Sequence, residues 1–250
     1  MCTARIMLAL LALLPAALAQ TAMAVEAAAA SPGSLPTVAA GTRAPDGIGV
    51  VVAPSSVAGP MAHGPWVPGS LMTPLKAGAR LPAGSVVRTL EGKPFSLNSA
   101  AAAKPTVLIF YRGGWCPYCN AHLRDLQGSE PALRAMGYQI LAISADPPQK
   151  LRETLTDDNL TYILLSDASL RVAARFGLRY KANAEFIDAL RKAHNTDLLT
   201  QNGGYLLTPA AFVLDRHGVI RFAYANPNFT VRVGQDVLLK AARDALSPVL

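Results

Sequence analysis

Apolar and polar residues alternate in two regular patterns over the second two-thirds of the chain, one typical of strands and one of helices. Four short apolar runs bounded by turn residues predict buried strands, at residues 106–111, 139–144, 162–165 and 211–214. The first of these runs shows no alternation, as expected for a central strand covered on both faces. Residues 86–90 and 94–97 lie on either side of Gly92 and predict two further short strands.

Helical segments separate these strands. The pattern predicts a helix that begins at Pro117, continues through Met136 and ends at Gly137. Further helices are expected at 148–155, between Asp167 and Gly177, at 182–195 and at 235–246. Residues 219–224 form a hairpin with 211–214 around the turn 215–218. Strands that alternate with helices predict an α/β fold whose mixed central sheet is flanked by helices.

The first residues resemble a secretory leader. Arg5 precedes an apolar run at 6–19, and the small-residue sequence Ala17-Leu18-Ala19 stands before Gln20. This order predicts a signal peptide over 1–19, with cleavage after residue 24 as an alternative. We therefore expect an exported, periplasmic protein. The alternative is membrane anchoring by an uncleaved segment, although the run is shorter than the ~20 apolar residues of a typical span.

A Pro/Gly-rich segment follows the leader. Residues 31–74 contain eight prolines and seven glycines among 44 residues, and show neither helical nor alternating periodicity. Pro and Gly make up about a third of this segment, which exceeds the roughly 25–30% at which low complexity or disorder is expected. The sequence thus predicts a disordered, low-complexity segment over 20–74 and one folded domain over 75–250.

Charge and composition argue against nucleic acid as a partner. The 250-residue chain has a formal net charge of +7, but its basic residues are interspersed with acids and form no run of five or more. A chain of this length and 51% hydrophobic content can bury a core without disulfide staples.

The chemistry is expected at a pair of cysteines. Loss of the leader removes Cys2, which leaves Cys116 and Cys119 in Cys116-Pro117-Tyr118-Cys119, between a buried strand and a helix. Pro117 suits the first helical position, so Cys116 is predicted at the N-cap. Free amides and the helix dipole favour a thiolate there, with a pKa of ≈ 3.5–7.5 in such motifs. We expect a redox pair in which Cys116 is the exposed attacking thiol and Cys119 resolves the mixed disulfide.

Non-catalytic interpretations are weaker but stay open. A structural disulfide in so small a ring would constrain the unfolded chain little. Zinc would need two further ligands, of which only His122 lies near the motif, and haem attachment needs a histidine where Asn120 stands. No metal and no cofactor are expected. His122, His194 and His217 are predicted as surface residues. A binding module with a static disulfide or a metal is the non-enzymatic alternative.

The motif carries a family resemblance. Residues 110–120, Phe-Tyr-Arg-Gly-Gly-Trp-Cys-Pro-Tyr-Cys-Asn, resemble the peroxiredoxin-like branch of the alkyl hydroperoxide reductase/thiol-specific antioxidant (AhpC/TSA) family. Residues 143–146, 164–167 and 212–215 with Gly218 extend the likeness over about 75–246. The resemblance implies a thioredoxin-like fold, a disulfide or hydroperoxide substrate, and a thiol/disulfide protein as electron donor.

The chain departs from the family pattern Pro-x-x-x-Thr/Ser-x-x-Cys, whose last cysteine attacks peroxide. If Cys119 takes that place, Cys116 replaces the Thr/Ser and Arg112 replaces the Pro. The family's later arginine falls on Pro209, where thioredoxins have a cis-proline. Thr208-Pro209 is therefore a cis-peptide candidate.

Other residues are expected to shape the site. Arg112 either adds positive potential near the thiolate or is a solvated loop residue. Trp115 is expected to shield the disulfide, and Tyr118 to tune its potential and partner contacts. Nothing in the sequence shows whether Arg232 approaches the site.

Two enzymatic functions follow. The first is an exported thiol-disulfide oxidoreductase with an antioxidant role, acting through a Cys116/Cys119 dithiol-disulfide cycle. The alternative is a true thiol peroxidase that reduces hydroperoxides at Cys119.

Overall fold

The computed structural model describes residues 50–52, 72–194, 196–197 and 201–246. The predicted leader at 1–19 and most of the predicted low-complexity segment at 20–74 lie outside the described residues. No helix within the described residues is long and apolar enough to cross a bilayer.

The described residues form eleven strands and seven longer helices. The strands are β1 (Val50–Val52), β2 (Val86–Arg88), β3 (Pro94–Ser96), β4 (Thr106–Phe110), β5 (Gln139–Ser144), β6 (Ile163–Ser166), β7 (Arg179–Lys181), β8 (Tyr205–Leu207), β9 (Ala210–Leu214), β10 (Ile220–Ala225) and β11 (Val231–Val233). The helices are α1 (Leu97–Ala103), α2 (Pro117–Gln127), α3 (Glu130–Ala135), α4 (Pro148–Asp157), α5 (Arg171–Arg175), α6 (Ala184–His194) and α7 (Gln235–Leu246).

Seven strands form the central sheet in the order β10-β9-β4-β5-β6-β2-β3. Strands β4, β5 and β6 are parallel, whereas β9, β10, β2 and β3 join their neighbours antiparallel. The sheet is therefore mixed, and the α/β prediction is confirmed. Two further antiparallel pairs, β1-β11 and β7-β8, lie outside it.

Strand β4 is buried on both faces, as its unbroken apolar run predicts. Val107 and Ile109 belong to the core on one side of the sheet, and Leu108 and Phe110 to the core on the other. Successive side chains of a strand point to opposite faces, so helices must cover both. The cysteine motif follows this strand on the Val107 side.

The predicted helix 117–136 is two helices in the structure. Helix α2 ends at Gln127, Gly128 follows, and α3 begins at Glu130. Pro131 lacks the N–H that would continue the helical hydrogen bonds, and this local feature accounts for the break. Ser129 Oγ donates to the Leu126 carbonyl across it, at 2.6 Å.

Some elements were not predicted. Helix α1 is alanine-rich and lacks a polar face, which conceals its periodicity; it begins where the Ser96 side chain accepts a hydrogen bond from the Ser99 N–H. Strands β7 and β8 have only three residues each. Helix α6, by contrast, was expected at 182–195 and is confirmed.

Parts of the expected low-complexity segment contact the folded domain. Strand β1 pairs antiparallel with β11, with Val51 opposite Arg232. The Thr73 N–H donates to the Gly177 carbonyl at 3.3 Å. Thr73, which lies within the expected low-complexity segment, is thus hydrogen-bonded to the folded domain.

The contact at Gly177 gives a stability prediction. Gly177 has φ +70°, and a Cβ there would lie 1.9 Å from the Thr73 carbonyl oxygen. Gly92 has φ +76° but open space around it, which makes it a matched control. Gly92→Ala should cost about 1–2 kcal/mol for the left-handed backbone. Gly177→Ala should cost about 1–3 kcal/mol more because backbone must move. Equal urea midpoints for the two variants would contradict the docking of residues 72–74.

Candidate active site

The cysteine loop joins the end of β4 to the start of α2. Cys116 is the N-cap residue in extended conformation (φ −96°, ψ 107°), and Pro117 is the first helical residue. The N–H groups of Cys119 and Asn120 donate to the Cys116 carbonyl at 2.9 and 3.1 Å. The predicted placement of the motif at a helix start is therefore confirmed.

Both cysteines are free thiols and both are buried, with 1% of Cys116 and none of Cys119 exposed. The expectation of an exposed Cys116 is wrong. Both thiols belong to a core cluster of apolar side chains, in which Tyr180 and Phe229 come from segments without a sequence signal. Other members of the cluster are Tyr118, Phe186, Ile187 and Leu190.

Two nitrogen donors face the sulfur of Cys119. The backbone N–H of Arg112 donates to it at 3.4 Å, and Nη2 of Arg232 lies 3.6 Å from it. One donor comes from the end of β4 and the other from β11. Both donors thus contact the sulfur of Cys119, the third residue of the helix, and not that of Cys116 at the N-cap.

The pKa values of the two thiols follow from these contacts. Burial alone would raise the pKa of Cys119, but the Cys116 thiol, the two guanidinium groups and the Arg112 N–H lower it to about 5. Burial, and then the interaction with Cys119, raises the pKa of Cys116 well above its usual value. The Cys116 side chain makes no capping hydrogen bond. These contacts favour Cys119, and not the expected Cys116, as the thiolate.

Arg112 is a buried component of the site and not a solvated loop residue. Only 2% of it is exposed, and its guanidinium lies 4.2 Å from the ring centre of Phe229, 4.7 Å from Trp115 and 5.6 Å from Phe186. Aromatic faces stabilise a cation in this arrangement. Its Nε and Nη2 atoms are buried without a hydrogen-bond partner.

Arg232 is the site residue that the sequence left open. It is 3% exposed, and its Nη1 donates to the Val231 carbonyl at 3.2 Å. It lies 113 positions after Cys119, on a three-residue strand. Only the folding of β11 back towards α2 brings it to the sulfur.

The aromatic residues of the motif pack into the site. Trp115 is half-buried, and its ring centre lies 5.6 Å from that of His194. Tyr118 meets Phe229 edge to face at 5.9 Å and is 7% exposed. The shielding of the cysteines by Trp115 stays a prediction, whereas Tyr118 does not present a surface for partner contacts.

Thr208 and Pro209 stand directly before β9, whose first residue, Ala210, pairs with Phe110. They thus lie at the same end of the central strands as the cysteine loop, which follows β4. The Thr208 N–H donates to the Leu178 carbonyl at 2.9 Å, and not to the cysteines. The cis form of the Thr208-Pro209 peptide stays a prediction.

The histidines differ in their placement. His217 is exposed as expected. His122 is buried instead, with its ring 3.1 Å from the Val233 carbonyl, and burial together with Arg232 lowers its pKa to about 3. A neutral His122 adds no charge to the site. In the described part of the chain, no three His, Cys, Asp or Glu side chains are grouped as metal ligands.

Asp146 positions the cysteine loop. Its Oδ2 accepts from the Gly114 N–H at 2.7 Å and from Ser144 Oγ at 3.1 Å. Burial raises its pKa to about 6 in spite of these bonds. A Cβ on Gly114 would lie 1.9 Å from Thr154 Oγ1, so the loop is pressed against α4. The sequence pointed to Asp146 only as part of the family likeness.

Replacement of Arg232 tests the electrostatics of this site. Arg232→Gln removes a cation within about 4–6 Å of the sulfur and should raise the pKa of Cys119 by about 1–3. Thiolate absorbance at varied pH measures the change. Arg152→Gln, at an exposed side chain on α4, is the control and should leave the titration unchanged. An unaltered titration in Arg232→Gln would contradict the role of Arg232.

Known proteins are similar to this chain in sequence. The AhpC/TSA family model matches residues 77–223. Peroxiredoxin Bcp of Escherichia coli is 30% identical over 107 residues, which are 43% of this chain and 67% of the relative.

Two solved structures are similar in fold. Peroxidoxin BcpB of Mycobacterium tuberculosis has a TM-score of 0.54 at 21% identity, over 70% of this chain and 99% of that one. Reduced Prx3 of Vibrio vulnificus, in complex with H2O2, has a TM-score of 0.56 at 19% identity, over 67% of this chain and 99% of that one. The thioredoxin-like prediction is confirmed. The family match spans more than half of the chain, which therefore belongs to the AhpC/TSA family of thiol-dependent oxidoreductases.

Proposed function

We propose that this protein is a thiol peroxidase in which Cys119 attacks a hydroperoxide and Cys116 resolves the product. The observation that carries the proposal is the position of the Cys119 sulfur, between the Arg112 N–H and the Arg232 guanidinium. A thiolate is the nucleophilic form of cysteine, and a pKa near 5 keeps Cys119 in that form at neutral pH.

Burial of both sulfurs favours a small substrate. A protein disulfide would have to bring a second sulfur into line with one that is fully covered, whereas a hydroperoxide needs only a narrow opening. The Vibrio vulnificus structure, similar in fold, contains H2O2. These points support the peroxidase alternative over exchange with protein disulfides.

The first step oxidises Cys119. Its thiolate attacks one oxygen of ROOH and the O–O bond breaks; sulfur gains the OH group, and RO⁻ leaves and takes one proton to become ROH. Negative charge moves from sulfur to the leaving oxygen during this step. The Arg232 guanidinium and the Arg112 N–H face the sulfur and stabilise the thiolate from which this step starts.

The second step forms the disulfide. The Cys116 sulfur attacks the sulfenic acid on Cys119, its thiol proton joins the departing OH, and water leaves. Because the two cysteines are a turn apart on α2 and already interact, no large rearrangement is needed. An external thiol protein then returns two electrons and two protons.

Replacement of each cysteine should affect peroxide consumption differently. Cys119→Ser should abolish peroxide consumption, whereas Cys116→Ser should retain one turnover per chain and lose sustained turnover. Rapid-mixing consumption of H2O2 and of an alkyl hydroperoxide, with and without a thiol reductant, measures both. Cys2→Ser is the control and should match the parent. A single turnover that survives Cys119→Ser and is lost in Cys116→Ser would instead make Cys116 the attacking residue.

We also propose that residues 1–19 direct export to the periplasm, which rests on the order of the charged, apolar and small residues in the leader. The cell fractions and the N-terminus of the isolated protein test this. Export predicts a periplasmic chain that begins at Gln20 or Val25. A full-length chain in the membrane fraction would support the anchored alternative, and a full-length soluble chain would contradict both.

A further inference from the structure

Oxidation changes the charge of this buried site. In the reduced form the Cys119 thiolate faces two guanidinium groups, Arg112 and Arg232. When the disulfide forms, the thiol of Cys116 and the thiolate of Cys119 give two electrons and one proton to the oxidant, and one further proton comes from solvent. The sulfurs become neutral, while the two guanidinium groups keep their positive charge.

The salt bridges of the described residues offer no carboxylate to replace the thiolate. Within the residues that the structure describes, the salt bridges involve neither Arg112 nor Arg232. The buried carboxylate that interacts electrostatically with Cys119, Asp146, already accepts hydrogen bonds from Gly114 and Ser144. A buried cation without a partner is costly, so the oxidised form must acquire a counter-charge or expose an arginine.

Donor groups for a ligand are already in place. Nε and Nη2 of Arg112 have no hydrogen-bond partner even in the reduced form, and neither has Nε1 of Trp115 or the hydroxyl of Tyr180. The Arg112 guanidinium lies 4.7 Å from the Trp115 ring centre, and it also acts on the Tyr180 hydroxyl electrostatically. Buried polar groups are normally satisfied, and a group of unsatisfied donors beside a cation fits an anion.

We propose that the Cys116–Cys119 disulfide form binds a small monovalent anion between Arg112 and Arg232, in place of the lost thiolate charge. This inference rests on the dithiol-disulfide cycle of the proposed function. An anion bound by the oxidised form alone stabilises the disulfide and lowers the midpoint potential. Anion concentration would then tune how readily the donor protein reduces the enzyme.

The midpoint potential of the full chain tests this directly. The disulfide is set with a dithiothreitol redox buffer at neutral pH, so the measurement does not depend on peroxidase activity. Chloride and, separately, formate replace a bulky sulfonate at constant ionic strength. Over about two decades of either anion the wild-type potential should fall, with a limiting slope of about 29.6 mV per tenfold for one anion per disulfide.

Variants assign the effect to the arginines. Arg112→Gln and Arg232→Gln should each reduce the slope by at least half, and Arg152→Gln, at the exposed arginine of α4, should keep it. If one buried variant does not fold, the other decides. A wild-type potential that does not change with either anion would overturn the anion site. So would a slope in Arg112→Gln and Arg232→Gln as steep as in the wild type. Failure to form the disulfide in any buffer would instead refute the catalytic cycle.

Discussion

The site depends on one interaction, the attraction of the Cys119 thiolate to two nitrogen donors inside a core that excludes water. Burial alone would keep this thiol protonated, because a charge loses its hydration in the protein interior. The hydrogen bond with Cys116, the Arg232 guanidinium at 3.6 Å, the Arg112 guanidinium and the Arg112 N–H at 3.4 Å together reverse that outcome. In a low-dielectric environment such contacts are stronger than on a surface, so the wall that hides the sulfur also strengthens its activation.

Three separate elements supply this arrangement. Strand β4 delivers the Arg112 amide, helix α2 presents Cys119 one turn after Cys116, and β11 carries Arg232 from the far end of the chain. Asp146 fixes the Gly114 N–H and with it the loop between strand and helix. Phe186 and Phe229 belong to the same core cluster as the two cysteines, and their rings also lie against the Arg112 guanidinium. The proposed catalytic contacts and the packing of the core therefore share residues.

Local patterns predicted the fold well, and long-range contacts were the limit. The β4 run, the hairpin of β9 and β10, and the helix start at Pro117 are consequences of neighbouring residues, which a sequence displays. The helix-cap argument placed the motif at a helix start, as the structure has it, but favoured Cys116 as the thiolate, whereas the buried contacts favour Cys119. The N-cap position of Cys116 is local, whereas the partner of Cys119 comes from 113 positions away. No local pattern distinguishes a buried Arg232 from a solvated one.

A pH titration of both thiols tests the central claim most directly. With ¹³C-labelled cysteine in the reduced chain, the Cβ chemical shifts report each ionisation without a reagent that must enter the core, and single Cys→Ser variants assign the signals. The account predicts that Cys119 ionises near pH 5 and that Cys116 keeps its proton to well above its usual range. Ionisation of Cys116 before Cys119 would contradict it.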